Sequence, residues 1–335
     1  MVRIGPIMGV PAALKSLELD PQEVLAEGDF DIRIFNNPDN LISFSARGQL
    51  LAHCAEKTNC RHFGLLVGKH SGLRSLGLVG LLTQHSPDVR TALNNLARYF
   101  HLHTPGAVVT LHENNGIATL SYYVREFRSQ ENAEVGSGAV AIMFNVLQEL
   151  CGPNWLPREI WFMHQQPHNT RAYRQFFQTH LQFNTEQNAV FFMGSWLNRP
   201  LTEAHPDLYK IVKQQIELLD AQQDSNFLDK VREVLHTAIL GGYCKADRVA
   251  ALLSMHPRTL NRRIRAYGIG YRELVDEVTY TIARQLLNET GLGVDQIATN
   301  LNYADARSFI RAFRRWSDTT PARWRAQQKL LCSKA

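Results

Sequence analysis

Arginines recur at matching positions in two segments of the last third of the sequence. Residues 258–267 read Arg-Thr-Leu-Asn-Arg-Arg-Ile-Arg-Ala-Tyr, and residues 307–316 read Arg-Ser-Phe-Ile-Arg-Ala-Phe-Arg-Arg-Trp. A guanidinium group is permanently charged and donates hydrogen bonds in a planar fork, which matches phosphate oxygens and the O6 and N7 atoms of guanine. The two segments therefore have the chemistry needed to contact double-stranded DNA.

Both segments read as amphipathic helices, since residues about 100° apart around a helix sort here into an apolar face and a cationic face. The apolar faces consist of Leu260, Ile264 and Tyr267 in the first helix and of Phe309, Phe313 and Trp316 in the second. The opposite faces consist of Arg258, Asn261, Arg262 and Arg265 in the first and of Arg307, Ile310, Arg311 and Arg314 in the second. We expect the apolar faces to pack on the protein and the cationic faces to point outward.

The position of each side chain along its helix predicts what it would contact. A recognition helix presents its first turns to base edges in the major groove. The base-reading candidates are Arg258, Thr259, Asn261, Arg262, Ala306, Arg307, Ile310 and Arg311. The candidates for phosphate contacts, which lie further along or to the side, are Arg263, Arg265, Arg314 and Arg315. Arginine pairs with guanine and asparagine with adenine, whereas Ala306 and Ile310 suit a thymine methyl group.

A supporting helix is predicted before each arginine-rich helix. The pattern Val249-Ala250-x-x-Leu253 recurs as Ile297-Ala298-x-x-Leu301, 48 residues later. Between the two copies, apolar residues at four-residue spacing predict one long helix over 271–290, closed by Gly291 as a C-terminal cap. These features predict two helix-turn-helix units joined by a long helix, which would meet successive major grooves about 34 Å apart.

Charge is distributed unevenly along the sequence. Residues 227–335 hold 18 Lys and Arg against 10 Asp and Glu, whereas the remaining 226 residues hold 18 against 21. No Asp or Glu lies between Asp247 and Glu273. Because opposite charges usually interleave on a solvated helix, this pattern favours a polyanionic partner. A nonspecific architectural DNA binder is the alternative, and it would show no salt-resistant preference for one site.

The first 200 residues combine strand-like and helical patterns. Strands are predicted at 108–112, 118–124, 159–163 and 189–193, and helices at 87–100 and 138–150. From residue 206 onward only helical patterns remain, and 207–222 is predicted to form a connecting helix. The Asn115-Gly116 pair between the first two strands predicts a hairpin. The fold class is therefore α+β. A mixed α/β domain is expected over 1–205, a linker helix region over 206–226, and an all-α domain over 227–335.

Other classes of function find little support in the sequence. It contains no G-x-S-x-G, phosphate-binding glycine loop or H-E-x-x-H motif, so we expect no enzyme. The five cysteines form no C-x-x-C pair, and no carboxylate or thiol completes a metal set with His101-x-His103, which would share one face of a strand. We therefore expect neither a metal nor a cofactor. The most apolar window, 76–82, is much shorter than a membrane span of roughly 20 residues, so we expect a cytoplasmic protein without membrane contact.

Residues 227–326 resemble the DNA-binding domain of the AraC/XylS family of bacterial transcription regulators. The resemblance rests on these motifs: Arg258-x-Leu260-x-Arg262, Gly268, Ala283-x-x-Leu286-Leu287, Ile297-Ala298, Tyr303, Phe309-x-Arg311-Ala312-Phe313-Arg314-Arg315-Trp316, Pro321 and Arg325. Three positions depart from the family pattern. Asn302 and Asp318 replace customary glycines, although both residue types tolerate the left-handed conformation, and Thr279 replaces a common arginine.

The upstream part is similar, more loosely, to the ligand-binding domain of the ornithine-utilisation-regulator branch of that family. The resemblance rests on Phe63-Gly64-Leu65-Leu66-Val67-Gly68, Leu76-Gly77-Leu78-Val79-Gly80, Ser86-Pro87 and Pro200-Leu201. It implies a sensor domain that binds a small-molecule effector, expected to be a polar metabolite, and that forms a homodimer. A regulator of this kind is expected to be an activator that contacts RNA polymerase, although the residues do not distinguish activation from repression. Tyr122, Arg125, Trp161 and His164 are candidates to line the effector pocket, and each could equally belong to the core or the surface.

Overall fold

The computed structural model describes residues 1–124, 131–222, 227–242, 244–253 and 256–332, and the chain divides into two compact units, Met1–Gln222 and Gln223–Ala335. The helices of the first unit are α1 (Val10–Ser16), α2 (Pro21–Glu27), α3 (Phe44–Lys57), α4 (Phe63–Gly68), α5 (Gly77–Gln84), α6 (Val89–His103), α7 (Glu131–Cys151), α8 (Arg171–Phe177) and α9 (Pro206–Gln222). Its strands are β1 (Val2–Arg3), β2 (Leu41–Ile42), β3 (Ala107–Asn114), β4 (Ile117–Val124), β5 (Glu159–Phe162), β6 (His180–Phe183) and β7 (Asn188–Met193). Short 3₁₀ turns lie at Gly5–Ile7, Ile32–Asn36, Leu73–Leu76 and Gly194–Asn198.

A five-stranded sheet of order β3-β4-β7-β5-β6 forms one layer of the first unit, with only β5 and β6 parallel. The strands predicted from the sequence are β3, β4, β5 and β7, and the predicted hairpin is confirmed. Its turn places Asn115 at φ +49° and Gly116 at φ +74°, as a tight hairpin turn requires. The sequence did not reveal β6, because four residues are too few for a pattern and its pairing with β5 depends on the tertiary fold.

Helix α7 packs against β4, β5 and β7 of the sheet and against α3 and α4. Glycines allow α4 to approach it closely: a Cβ atom on Gly64 would lie 1.9 Å from the carbonyl oxygen of Glu134, and one on Gly68 would lie 2.4 Å from that of Gly138. The two glycines of the 63–68 motif thus have a packing role, because any side chain there would push the two helices apart.

The paired histidines belong to a helix rather than to a strand. His101 and His103 form the end of α6, where residues two apart point in different directions, so the expected shared face does not exist. The Nε2 atom of His101 lies 2.9 Å from the Asp220 carboxylate, whereas His103 is buried. Within the described ranges, no three His, Cys, Asp or Glu side chains are grouped as metal ligands would be.

Helix α9 is part of the first unit. Its Val212 and Ile216 are buried in the core of that unit, and its Asp220 contacts α6 through His101. The sequence predicted this helix but assigned it to a linker region over 206–226. Its amphipathic pattern could not show which domain its apolar face covers. None of the described helices is long and apolar enough to span a bilayer.

The second unit consists of helices. They are α10 (Phe227–Leu240), α11 (Ala246–Leu252), α12 (Pro257–Arg265), α13 (Tyr271–Glu289), α14 (Val294–Asn300), α15 (Ala306–Ser317) and α16 (Pro321–Cys332). Helix α13 is the predicted long helix, and it buries Leu274, Val278, Ile282 and Leu286 as their spacing predicts. The predicted glycine cap is wrong. Thr290, in an extended conformation, ends the helix, and its hydroxyl donates to the Leu286 carbonyl, so Gly291 is not needed as a left-handed cap.

Candidate nucleic-acid interface

Helices α11 and α12 form the first helix-turn-helix unit, and the packing face of α12 is largely as predicted. Leu260 and Ile264 are both 0% exposed. Pro257 begins the helix, and the Nδ1 atom of His256 accepts a hydrogen bond from the Arg258 N–H at 3.2 Å, a cap that the sequence reading missed. Tyr267 differs from the prediction because the helix ends at Arg265. The Tyr267 ring is 50% exposed and stacks on the Phe227 ring of α10.

The outward side of α12 is exposed and cationic. Arg258, Arg262 and Arg265 are exposed, and Thr259 and Asn261 are half-buried. The Asn261 amide donates one of its two N–H hydrogens to the Pro257 carbonyl at 3.0 Å, which leaves the second N–H and the amide oxygen available to a base. The charges of this helix therefore reach solvent, while its one amide is partly engaged locally.

Arg263 lies to the side of this surface. Its guanidinium carbon lies 3.9 Å from the centroid of the Phe227 ring, a cation–π contact, and the side chain stays exposed. Because the contact leaves the N–H groups at the edge of the guanidinium available, a phosphate oxygen could still be bound there. The expected position of Arg263 beside the base-reading face is consistent with this arrangement.

Helices α14 and α15 form the second helix-turn-helix unit. Phe309 and Phe313 are 0% exposed, and Trp316 is half-buried against the Tyr280 ring. The Asp305 carboxylate caps α15 by accepting a hydrogen bond from the Ser308 N–H at 2.6 Å, and this lowers the pKa of Asp305. The cap keeps a negative charge at the start of α15, beside the base-reading candidates.

The outward side of α15 repeats the cationic pattern of α12. Arg307, Arg311 and Arg314 are exposed, and the neighbouring Ala306 and Ile310 are half-buried. Arg311 donates a hydrogen bond to the Ser308 hydroxyl at 3.1 Å. Arg315 differs from the others, because its guanidinium lies 2.7 Å from the Asp276 carboxylate on α13. Of the eight arginines on α12 and α15, it is the one with a carboxylate partner in the described part of the chain.

The departures from the family pattern are accommodated by the backbone. Asn302 has φ +60° and Asp318 has φ +56°, so each takes the left-handed conformation that the customary glycine would provide. The Asn302 amide also donates to the Ile239 carbonyl near the end of α10, a contact that glycine could not make. Thr279 is buried and its hydroxyl returns to the Val275 carbonyl, so it reaches no surface at which DNA could be contacted.

The effector-pocket candidates do not lie together. Tyr122 is buried and lines a cavity between the sheet and helices α3, α6 and α7. Trp161 packs on Phe191, and its ring does not line that cavity. The His164 ring is held by the Ser137 hydroxyl and the Gln165 carbonyl, and burial lowers its pKa to about 4, so it stays neutral. Arg125 lies outside the described residues.

Arg47 is a charged residue of the cavity that was not predicted from the sequence. It lies on α3 between Phe44 and Leu51, and its side chain is only 4% exposed. A signal was present in the sequence: Arg47 shares the apolar face of α3 with Leu50, Leu51 and Cys54 at helical spacing. A charged residue on an apolar face is unusual enough to mark a site.

The comparisons with known proteins agree with this arrangement of two units. The arabinose-binding domain of AraC transcription regulators matches residues 19–201, which is more than half of the chain, and a helix-turn-helix domain matches residues 249–327. The chain belongs to the AraC family of transcription regulators. The second match includes both arginine-rich helices, so the resemblance inferred from their motifs is confirmed.

Similar AraC-family regulators match over most of their length. The HTH-type transcriptional regulator VirS of Mycobacterium tuberculosis is 25% identical over 328 residues, which cover 97% of this chain and 96% of VirS. The ornithine utilization regulator of Pseudomonas aeruginosa is 25% identical over 305 residues, covering 87% and 86%. The crystal structure of the transcriptional regulator CdpR of P. aeruginosa is 18% identical, with a TM-score of 0.48 over 95% of this chain and 96% of that one. These relatives are transcription regulators and not enzymes.

Proposed function

We propose that this AraC-family regulator recognises specific DNA sites through α12 and α15 and that a small molecule bound by its first unit controls its activity. The observation that carries the DNA-reading part is the exposure of all eight arginines on these two helices. Seven of them form no ion pair with a carboxylate among the described residues, so their charges remain available to DNA. Arg258, Thr259, Asn261, Arg262, Ala306, Arg307, Ile310 and Arg311 are the base-reading candidates, and Arg263, Arg265, Arg314 and Arg315 are the phosphate candidates.

The two helix-turn-helix units on one chain favour an asymmetric site for each protomer. Two recognition helices held by α13 would enter successive major grooves on one face of the duplex. A homodimer, which we propose on the basis of the family resemblance, would need two such sites. Sedimentation of the full chain with and without DNA would test this, since a monomer at concentrations that saturate the site contradicts the dimer.

Effector binding is supported by the family match of the first unit and by its cavity. The cavity lies inside the first unit, between the sheet and helices α3, α4, α6 and α7, and its volume is about 60 Å³. The matched family is named for arabinose, but this cavity is lined mainly by apolar side chains, whereas a sugar needs several polar partners. We therefore propose an effector other than a simple sugar.

The decisive experiment is genome-wide mapping of the sites that the full chain occupies in cells, followed by selection from a randomised DNA pool. A specific reader yields one motif in both, and that motif is bound in preference to random DNA at physiological salt. An architectural binder yields no motif and loses its affinity steeply with salt on every sequence. A reporter fused to a mapped site then separates activation, which implies contact with RNA polymerase, from repression.

A further inference from the structure

A buried arginine lies in the wall of the cavity of the first unit. The Arg47 side chain is 4% exposed, and it lies 4.5 Å above the Phe44 ring. The Tyr122 hydroxyl lies close enough to act on its charge, but no carboxylate in the described part of the chain pairs with it. Burial lowers the pKa of Arg47, yet a guanidinium stays protonated at neutral pH. The protein thus holds one uncompensated positive charge in an apolar setting.

Other polar atoms near Arg47 are also without partners. The Nε atom of Arg47 and both ring nitrogens of His103 are buried and make no hydrogen bond within the described ranges. His103 is close enough to Arg47 for that charge to act on it, and burial together with the charges of Arg3 and Arg47 lowers its pKa to about 3. His103 is therefore a neutral ring that can donate one hydrogen bond. The neighbouring cation, Arg3, has its own carboxylate partner, Asp39.

Apart from Thr104, the remaining side chains that line the cavity are apolar. Ile7, Leu51, Leu96, Phe100, Ile142 and Val146 all line it. Buried polar groups are normally satisfied, and a buried charge without a partner costs much free energy. A ligand with one negatively charged group and an apolar body would compensate the charge of Arg47 and would also contact the apolar side chains of the cavity. A dianion such as a phosphate monoester would leave one charge uncompensated beside a single guanidinium.

We propose that this cavity binds an amphipathic monocarboxylate, whose carboxylate accepts hydrogen bonds from Arg47 and whose apolar body lies against α6 and α7. The proposal rests on the effector-binding role proposed above and names the chemical class of the effector. The sequence predicted a polar metabolite as the effector. The proposed ligand differs from it, because only one end of this ligand would contact polar atoms of the protein. Tyr122, the sequence candidate that does line the cavity, has its hydroxyl near the guanidinium of Arg47.

Binding is measured with the full chain by calorimetry and thermal shift, using a defined panel of probes. The panel contains octanoate, decanoate, dodecanoate and 3-phenylpropionate, with 1-decanol and propionate as partial ligands. At least one of the four amphipathic carboxylates binds, and 1-decanol and propionate bind about tenfold more weakly or worse, because each lacks one half of the interaction. Absence of binding by all four carboxylates, or equal binding of decanol and decanoate, overturns the proposal.

Three variants test the site itself. Arg47→Met keeps the length of the side chain and removes its charge, so it abolishes the preference for carboxylate over alcohol and raises the melting temperature of the unliganded chain. Arg61→Met is the matched control, since Arg61 is exposed, and it leaves both quantities unchanged. Ala139→Phe fills the cavity from α7 and abolishes carboxylate binding while Arg47 is intact.

The variants also give outcomes that contradict the proposal. Unchanged decanoate binding in Arg47→Met or in Ala139→Phe would place the ligand elsewhere. A large fall in the melting temperature of unliganded Arg47→Met would show that the charge is already satisfied in the empty protein.

Measurements of DNA binding separate the proposed ligand class from the proposed effector role. If carboxylates bind through Arg47 without changing DNA affinity or transcription, the effector role fails alone. If another metabolite changes DNA affinity and no carboxylate binds, the ligand class fails alone.

Discussion

The guanidinium of Arg315 lies 2.7 Å from the carboxylate of Asp276 and joins the second recognition helix, α15, to the long helix α13. Arg314, the preceding residue, is exposed and has no such partner among the described residues. Two adjacent arginines of one helix therefore differ in the charge that they can offer to DNA. The effects of substituting Arg314 and Arg315 on DNA affinity can therefore be compared within one recognition helix.

Base-reading and phosphate-binding arginines should respond differently to substitution. Arg262→Ala and Arg311→Ala should each cost about 1–3 kcal/mol of binding free energy and relax the preference at one or two base pairs, because bidentate guanine contacts are lost. Arg314→Ala should weaken binding to all sequences about equally and reduce the salt slope by about one unit. Selections from a randomised site at fixed salt measure both effects, with Arg61→Ala as a control for lost charge. Unchanged sequence preference in both the Arg262 and Arg311 variants would contradict base reading.

The Arg315–Asp276 ion pair predicts a weaker role for Arg315 than for Arg314. Arg315→Ala should lower DNA affinity less than Arg314→Ala, because the Asp276 carboxylate already compensates the charge of Arg315. Asp276→Asn should raise affinity for random DNA and steepen its salt dependence. It should lower the free energy of unfolding by less than about 1 kcal/mol, as is usual for an ion pair near the surface. Titrations with random DNA at several salt concentrations measure this, and a fall in affinity for Asp276→Asn would exclude the compensation.

Asn302 should tolerate glycine better than alanine. Its φ of +60° would cost alanine about 1–2 kcal/mol, whereas glycine adopts it freely. Both variants lose the hydrogen bond to the Ile239 carbonyl, which is worth about 1 kcal/mol. We therefore expect Asn302→Ala to destabilise the second unit by about 2–3 kcal/mol and Asn302→Gly by about 1 kcal/mol. Calorimetry of the full chain measures both, and Asp318→Gly is the control, because Asp318 has a similar φ and an exposed side chain. Equal losses in the two Asn302 variants would show that strain is not the cause.

The second unit should bind DNA without the first. A fragment of residues 224–335 contains both helix-turn-helix units and should bind the mapped site, although more weakly than the full chain if the first unit dimerises. Fluorescence titration of the fragment and the full chain against the same duplex would measure the difference. Failure of the fragment to bind at low salt, while circular dichroism shows that it is helical, would contradict the modular interpretation.

Glu134 should make the stability of the first unit depend on pH. Burial raises the pKa of this carboxyl from its usual value to about 7, although the Gly64 N–H donates to it. Because the folded-state pKa is above the unfolded-state value of about 4.5, the protonated form is favoured by folding. The resulting stability is present below about pH 4.5 and is lost as the pH rises towards 7. Glu134→Gln should remove this loss, so the difference in unfolding free energy between the variant and the wild type should grow by about 3 kcal/mol from pH 4.5 to 8. A difference that is constant over this range would contradict the assignment.

The sequence predicted the buried faces of the two arginine-rich helices better than the cavity of the first unit, and the reason lies in the range of the interactions. Leu260, Ile264, Phe309 and Phe313 could be assigned to a buried face because helical periodicity is a local property. The Arg315–Asp276 pair and the position of Phe227 beside Arg263 join residues far apart in sequence, and no local pattern reveals them. For the same reason Trp161 and His164 were proposed as pocket residues, although the fold directs them away from the cavity that Tyr122 lines.

The close approach of α4 to α7 bears on how selective the cavity can be. Gly64 and Gly138 contribute to its wall where the two backbones touch, and Gly64 has no room for a side chain. A wall of backbone has no rotamers, so it cannot reshape itself around ligands of different outline. Met143, with three rotatable bonds, is the adaptable part of the lining. The cavity should thus accept only narrow parts of a ligand beside α4 and should tolerate wider parts near Met143. Chemically related ligands would then be discriminated chiefly by their branching.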